Sequence, residues 1–180
     1  MRTLALAEMV GSVDTHAEDL AAFDQLMRQH ERLVLATALR LLGNLEDAQD
    51  ASQEVFLKLY RNQKKLERAD HIPAWLYRVT VNVCHDVGRK RKPTAPVEEA
   101  DAVAAADPPD DADRRRALML SLRRLSEKER AAVVLRDLEG LSTEEVARAL
   151  GSSEATVRSQ ISQARVKMRE FLERYFRRRL

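Results

Sequence analysis

Several residue types are scarce in this sequence, and each scarcity excludes a class of protein. A single cysteine among 180 residues excludes an intrachain disulfide framework, which points to a reducing, cytoplasmic setting. Five glycines, five prolines and 4% aromatic residues are too few for an all-β fold with its many turns. No apolar run approaches the ~20 residues that a membrane span requires, so we expect no membrane insertion.

Charged residues are abundant, and their uneven distribution divides the chain. Residues 1–92 hold 14 Lys and Arg against 13 Asp and Glu. Residues 93–113 hold seven acids, no Lys or Arg and four of the five prolines, whereas residues 114–180 hold 17 basic residues against 9 acids. We therefore predict an N-terminal domain (1–92), an acidic, flexible linker rich in Pro and Ala (93–113) and a basic C-terminal domain (114–180).

Apolar residues in the N-terminal domain recur at the spacing of amphipathic helices. Three long helices are predicted: Phe23–Leu42, a second that starts after the cap Asn44, and a third from Pro73 to about Lys92. Residues 62–72, between the last two, are polar and are predicted to form a loop or a short helix. We expect a further, separate short helix in the first twenty residues.

The C-terminal domain carries two capping boxes, in which a Ser and a Glu three residues later bind each other's backbone N–H groups. They occur at Ser126–Glu129 and Ser142–Glu145, and each is predicted to open a helix. Ser153 is the predicted cap of a last helix that continues past Phe171. Composition and capping together predict an all-α fold of two small helical domains joined by the linker.

Residues 143–162 fit a helix-turn-helix. This motif needs a small residue where its helices cross and a turn residue with positive φ, which Ala147 and Gly151 supply. Val157 and Ile161 supply the apolar inner face of the second helix. The same helix carries basic residues suited to phosphate contacts, namely Arg158, Arg165, Lys167 and Arg169. An ordinary helical hairpin with a solvated basic face is the alternative interpretation.

Three segments, in this order, resemble parts of bacterial RNA polymerase sigma factors. Residues 47–56 resemble the helix that binds core polymerase, residues 74–89 the promoter-melting segment, and residues 125–159 the C-terminal sigma domain. The order, the spacing and the missing middle domain are similar to those of the extracytoplasmic-function (ECF) group. The resemblance covers roughly residues 20–92 and 114–175.

This resemblance implies a transcription initiation factor that binds core RNA polymerase, recognises the minus-thirty-five and minus-ten promoter elements and promotes DNA melting. The implied partners are core RNA polymerase, promoter DNA and an anti-sigma factor, and we expect a monomer when the chain is free. The sequence shows no glycine-rich nucleotide loop or catalytic constellation, and Cys84 and His85 have no partners at metal-ligand spacing. We therefore expect no enzyme activity, no metal and no cofactor.

By motif match, the polymerase contact falls on Asp50, Gln53 and Glu54. Their i, i+3, i+4 spacing places the three side chains on one face of a helix. Without the resemblance, a solvated acidic helix face would be the simpler interpretation of these residues.

The resemblance assigns minus-ten DNA to residues 62–72 and to the third helix. The loop is expected to hold phosphates and to capture a flipped base, and the helix to lie along the melted strand. The residues assigned are Lys64, Lys65 and Arg68 in the loop, and Trp75, Arg78, Asn82, Arg89, Lys90 and Arg91 in the helix and at its end. Trp75 either stacks on a base or packs in the core, and its place beside the apolar stripe favours packing.

The last predicted helix is assigned to the major groove of the minus-thirty-five element. Arg158, Ser159, Ser162 and Arg165 lie on the face expected to contact DNA, Gln160 and Gln163 flank it, and Lys167 is a further basic contact. Many relatives carry Arg at the positions of Gln160 and Gln163. Either these glutamines only reduce the number of phosphate contacts, or one of them pairs with adenine.

Two other classes of protein compete with this interpretation. A transcription factor of the response-regulator type shares this style of C-terminal domain, but residues 1–92 show no parallel-strand pattern for a receiver domain. An enzyme with a nucleic-acid-binding helical domain would need an active site that the sequence does not display.

Overall fold

The computed structural model describes residues 2–62, 66, 72–90 and 109–177, with residues 2–20, 109 and 110 described by their backbone alone. Helices occupy almost all of this part of the chain, and it contains no strand, so the predicted all-α fold is confirmed. In chain order they are α1 (Arg2–Leu42), α2 (Leu45–Asn62), α3 (Ile72–Lys90), α4 (Pro109–Arg123), α5 (Glu127–Val133), a π-helix (Val134–Leu138), α6 (Thr143–Leu150) and α7 (Glu154–Arg177). The chain divides into two compact units, Met1–Leu33 and Val34–Leu180.

The first unit contains the N-terminal part of α1. The separate short helix expected in the first twenty residues is wrong, because α1 is continuous from Arg2 to Leu42. No proline interrupts this segment, and its many alanines and leucines are good helix formers. An ion pair of 2.8 Å between Asp24 and Arg28, four residues apart, adds a small local stabilisation.

The second unit contains the turn between α1 and α2. Gly43 ends α1 with a φ of +78°, which glycine adopts without strain, and its N–H donates to the Leu39 carbonyl at 2.8 Å. A Cβ at Gly43 would come within 2.9 Å of Arg123 Nε, so glycine also permits this close approach. Asn44 caps α2 as predicted, because its Oδ1 accepts a hydrogen bond of 2.8 Å from the backbone N–H of Asp47.

Helices α2 and α3 pack against each other through their apolar faces. Their buried side chains are Ala48, Ala51, Ser52, Val55, Phe56 and Leu59 of α2, and Ile72, Leu76, Tyr77, Thr80, Val83 and Cys84 of α3. Pro73 occupies the first turn of α3, where its missing N–H costs nothing. The predicted end of α3 at about Lys92 lies outside the described residues, the last of which in this helix is Lys90.

Helix α4 begins at Pro109, inside the segment predicted to be linker as far as Asp113. Proline is favoured in the first helical turn, and Asp111 stands where the helix dipole stabilises a carboxylate. Helix formation therefore starts earlier than the change in composition indicated. The rest of the predicted linker lies outside the described residues, and the domain boundaries stay predictions.

The capping box at Ser126 is confirmed. The Ser126 backbone N–H donates to Glu129 Oε2 at 2.9 Å, and the Glu129 N–H donates back to Ser126 Oγ at 3.4 Å. The helix predicted to run to about Leu138 is α5 followed by the π-helix, whose wider turn is closed by a 3.0 Å hydrogen bond from the Glu139 N–H to the Val134 carbonyl.

Candidate functional site

The outer face of α2 carries the residues assigned to polymerase. Asp50 and Gln53 are exposed, and Glu54 is half-exposed and pairs with Lys58 at 3.2 Å. The buried stripe of α2 lies on the opposite side, so core packing does not use these side chains. The structure brings Asp50, Gln53 and Glu54 onto one surface, as their spacing predicted.

A large apolar side chain extends this surface. Leu57 is 50% exposed and lies four residues after Gln53 and three after Glu54, which continues their face of the helix. Sequence reasoning missed Leu57, although a leucine outside the buried stripe of an amphipathic helix was a visible signal. We define the docking face as Asp50, Gln53, Glu54 and Leu57.

One side of α3 exposes most of the residues assigned there to minus-ten DNA, namely Arg78, Asn82, Arg89 and Lys90. Arg89 pairs with Asp86 at 2.8 Å, whereas Arg78 forms no ion pair with any described residue. Trp75 is half-buried and stands outside the fully buried core, so part of its indole ring is accessible to solvent. Four assigned residues lie outside the described part of the chain: Lys64, Lys65, Arg68 and Arg91.

Helices α6 and α7 form the helix-turn-helix. The Ser142 capping box opens α6, and the hydrogen bonds from Ser142 lower the pKa of the Glu145 carboxyl. Gly151 makes the turn with a φ of +58°, a left-handed conformation that allows the Ser152 N–H to reach the Ala147 carbonyl at 3.0 Å. The predicted small residue and the predicted turn glycine are therefore both in place.

Helix α7 starts at the predicted cap, because Ser153 Oγ accepts a 3.2 Å hydrogen bond from the Thr156 N–H. Its inner face buries Val157, Ile161 and Ala164. The opposite side exposes four assigned residues, Arg158, Ser159, Ser162 and Gln163. Two of these residues are serines, whose short side chains allow the helix to approach a DNA groove closely.

Two family models match the chain on either side of the predicted linker. Sigma-70 region 2 matches residues 26–94, and Sigma-70, region 4 matches residues 115–168. The ECF RNA polymerase sigma factor SigM of Mycobacterium tuberculosis is 37% identical over 158 residues, which cover 87% of this chain and 80% of SigM. The chain belongs to the ECF group of RNA polymerase sigma factors.

Other relatives agree with this assignment. The ECF sigma factor SigE of Mycolicibacterium smegmatis is 37% identical over 164 residues. The matched segment covers 87% of this chain and 63% of SigE. The structure of CnrH in complex with the cytosolic domain of CnrY is similar at a TM-score of 0.63 and 26% identity, covering 86% of this chain and 89% of CnrH. The structure of the sigma factor RpoE in complex with the anti-sigma factor NepR from Bartonella quintana shares the fold, with a TM-score of 0.67 and 23% identity. The match covers 84% of this chain and 97% of that chain.

The three cations assigned to α7 of this sigma factor are all paired with acids. Arg158 pairs with Glu154 one turn earlier on the same helix. Arg165 forms a two-pronged contact, because its Nε and Nη2 donate to the two carboxylate oxygens of Asp137 at 2.9 and 2.6 Å. These hydrogen bonds raise the pKa of Arg165.

Lys167 is held more deeply than the other two cations. Its Nζ donates to Glu129 Oε1 at 2.6 Å, and the Glu129 side chain is only 6% exposed. The hydrogen bond from Lys167 lowers the pKa of the Glu129 carboxyl, and the hydrogen bonds from Ser126 lower it further. Lys167 therefore neutralises the buried acid of a capping box, whether or not it also contacts DNA.

Gln160 stands apart from the other assigned residues of α7. It is half-buried, and its Oε1 is buried without a hydrogen-bond partner among the described residues. Gln160 borders a cavity of about 440 Å³ that Asn82 of α3 also lines. The structure therefore separates Gln160 from Gln163, which the sequence treated as a pair.

Cys84 is the remaining candidate for chemistry, and its burial favours a role in packing. Burial raises the pKa of the Cys84 thiol to about 12, so the reactive thiolate is scarce at neutral pH. Among the described residues, no group of three His, Cys, Asp or Glu side chains is placed to hold a metal ion. No helix in the described part of the chain combines the length and the apolar character needed to cross a membrane.

Proposed function

We propose that this sigma factor binds core RNA polymerase through the docking face of α2, recognises the minus-ten element with α3 and residues 62–72, and recognises the minus-thirty-five element with α7. Opening of the minus-ten duplex would follow from capture of the displaced strand along α3. The chain supplies recognition and strand positioning, and the polymerase supplies the chemistry. Such a factor works in the cytoplasm, where polymerase and promoter DNA are found.

The observation that carries this proposal is the helix-turn-helix with an exposed outer face on α7. In this motif the second helix enters the major groove, and residues near its N-terminus contact base edges. Arg158, Ser159 and Ser162 stand in the first three turns of α7 and point away from the buried Val157 and Ile161. The geometry thus offers a groove-reading surface independently of the family.

The docking face supports the polymerase assignment because it combines acceptors with one apolar side chain. Exposed polar groups that become buried against a partner contribute to binding without contributing to the fold of the free chain. The triple change Asp50→Ala, Gln53→Ala and Glu54→Ala should abolish retention of the chain on core polymerase while the circular dichroism spectrum stays helical.

A matched control for this experiment uses two exposed acids of α7, Glu170→Ala with Glu173→Ala, which removes the same number of acids outside the docking face. The control should bind core polymerase as the unchanged chain does. Equal binding by the triple variant and the control would contradict the docking assignment.

The single tryptophan provides a direct test of the minus-ten assignment. Trp75 is the only tryptophan in the chain, and its ring is partly accessible. If it stacks on a base, single-stranded minus-ten DNA should quench the fluorescence by which the complex of core polymerase with the unchanged chain exceeds the complex with Trp75→Phe. Unchanged fluorescence at saturating DNA would leave the packing interpretation of Trp75.

An anti-sigma factor completes the proposed partners. The structure of CnrH, 26% identical to this chain, holds the cytosolic domain of CnrY. We expect a comparable protein to bind this sigma factor and to compete with core polymerase. Co-purification of the free chain from its own cells, followed by displacement with core polymerase, tests this expectation.

A further inference from the structure

The exposed side of α7 carries a large apolar residue that the fold does not use. Val166 is 49% exposed, and it follows Ser159 by seven residues and Ser162 by four. Residues at these spacings share one face of a helix, so Val166 continues the face that the proposed function assigns to DNA. The buried Val157 and Ile161 lie on the opposite side of α7, so core packing does not account for Val166.

Helix stability does not account for Val166 either. Valine has a lower helix propensity than alanine, lysine or glutamate, because its branched side chain loses rotamer freedom in a helix. An exposed valine also leaves apolar surface in water. A residue that is unfavourable both for the helix and for solvation is expected where it serves a contact with a partner.

The two sequence neighbours of Val166 are cations that are held away from it. Arg165 and Lys167 lie about 100° around the helix from Val166, in opposite directions. Arg165 donates to the two carboxylate oxygens of Asp137 at 2.9 and 2.6 Å, and Lys167 donates to Glu129 at 2.6 Å. These ion pairs hold both long side chains along the flanks of α7, so neither covers the Val166 side chain.

Acids follow Val166 on the same side of α7. Glu170 and Glu173 are both exposed, and they lie four and seven residues after Val166. Carboxylates at these positions repel the phosphates of DNA. The part of the face that DNA can approach therefore ends at Val166, which lies about 10 Å along the helix axis from Ser159. This distance corresponds to about three base pairs of a duplex.

Four residues of this face, Ser159, Ser162, Gln163 and Val166, are spaced i, i+3, i+4 and i+7. Homeodomains, a class of helix-turn-helix proteins, contact bases in the major groove at the same four spacings of their recognition helix. The three polar side chains can exchange hydrogen bonds with base edges, whereas Val166 cannot. The apolar group that the major groove presents is the C5 methyl group of thymine.

We propose that Val166 determines specificity at one position of the minus-thirty-five element by packing against the C5 methyl group of a thymine. This inference rests on the proposed function, which places α7 in the major groove of that element. The contact removes apolar surface of both the methyl group and the valine from water. A cytosine at the same position would instead place its N4 amino group against the valine, without an acceptor.

Uracil provides the test, because it lacks the C5 methyl group of thymine and keeps the O4 acceptor. Core polymerase carrying the full-length chain selects promoter duplexes with a random minus-thirty-five region, in which about half of the thymines are replaced by uracil. Thymine should be preferred over uracil about fourfold at one position of the selected element, the effect of burying one methyl group. Val166→Ala should select the two bases equally there and keep the preferences at the other positions.

Two further variants serve as controls. Val166→Ile should retain the preference for thymine, because it keeps a branched apolar side chain. Phe176→Ala removes another exposed apolar residue of α7, which lies beyond the two acids, and should leave the preference unchanged. The circular dichroism spectrum of Val166→Ala should stay helical, because alanine favours helices more than valine does.

Equal selection of thymine and uracil throughout the element chosen by the unchanged chain would overturn the proposal. A preference that persists in Val166→Ala, or an element without thymine at any position, would overturn it as well. These outcomes leave the proposed function intact, because a minus-thirty-five element is still selected. Selection of no such element would instead contradict the proposed function, and this inference with it.

Discussion

Helices α3 and α7 both present basic residues on an exposed side, but they hold them differently. On α3, Arg78 forms no ion pair with a described residue. On α7, Arg165 and Lys167 are held by acids from other elements, Asp137 and Glu129. A phosphate that approaches Arg78 on α3 meets a solvated guanidinium, whereas a phosphate that approaches Arg165 or Lys167 on α7 must replace a carboxylate.

A count of the basic residues on α7 therefore overstates its affinity for DNA. The net gain from each α7 cation is the phosphate contact minus the ion pair that it replaces. The pairs also differ among themselves, because Glu129 is buried, whereas Asp137 is exposed as a residue. We therefore expect Lys167 to contribute mainly to stability and Arg165 mainly to DNA binding.

The largest expected effect concerns Glu129. Glu129→Ala should lower the free energy of unfolding by about 2 kcal/mol, through loss of the capping box and of the hydrogen bond from Lys167. Urea denaturation followed by circular dichroism measures the change. Glu145→Ala is the matched control, because it removes the exposed acid of the other capping box and should cost about half as much. Equal shifts would remove the distinction between the two acids.

The stability that the Glu129 carboxylate contributes should depend on pH. The folded-state pKa of Glu129 is lowered, so its contribution is fully present above its unfolded pKa of about 4.3 and is lost as the pH falls through the lower, folded value. The stability difference between the unchanged chain and Glu129→Gln should therefore shrink as the pH is lowered below about 4. A difference that is constant between pH 7 and pH 3 would contradict this account.

Asp137 should restrain Arg165 by a smaller amount. Asp137→Asn should raise the affinity for duplex DNA about threefold, since an exposed ion pair contributes less than about 1 kcal/mol. Arg165→Ala should instead lower the affinity and reduce the salt slope by about 0.9. The control is Glu144→Gln on α6, whose partner Arg148 is not assigned to DNA. Comparable gains from Asp137→Asn and Glu144→Gln would mean that only the general charge matters.

The smallest expected effect is the difference in salt dependence between the variants Gln163→Arg and Gln160→Arg. Gln163→Arg adds a cation to the exposed side of α7 and should steepen the salt dependence of duplex binding by about 0.9. Gln160→Arg should change the slope less in the free chain, because Gln160 borders the cavity. Equal increases in slope would show that both positions face DNA, and selection from random duplexes would then reveal whether either glutamine had favoured adenine.

Local signals explain how much of the fold could be predicted from the sequence. Gly43 and Gly151 mark the ends of helices, and Ser126 and Ser142 mark the starts, because a cap involves residues only three or four positions apart. The separate N-terminal helix was wrong, because α1 continues through Gly11 as far as Leu42. The spacing that placed Asp50 with its neighbours on one face is equally local.

Contacts between distant residues explain what the sequence could not supply. Arg40 and Glu139 are 99 positions apart, and no periodicity connects them. Tyr77 is buried, and its hydroxyl donates a hydrogen bond to Glu139, a residue 62 positions away in the sequence. Gln160 was paired with Gln163 by family comparison, but the packing of the second unit places Gln160 at the cavity.

Promoter-directed transcription is the most direct test of the central claim. Purified core RNA polymerase is mixed with a library of random promoter sequences, with and without the chain, and the transcript starts are sequenced. The account predicts discrete starts that share two upstream elements, that require the chain and that are lost with the triple alanine variant of Asp50, Gln53 and Glu54. Starts that are identical with and without the chain, although the chain binds the polymerase, would contradict the account.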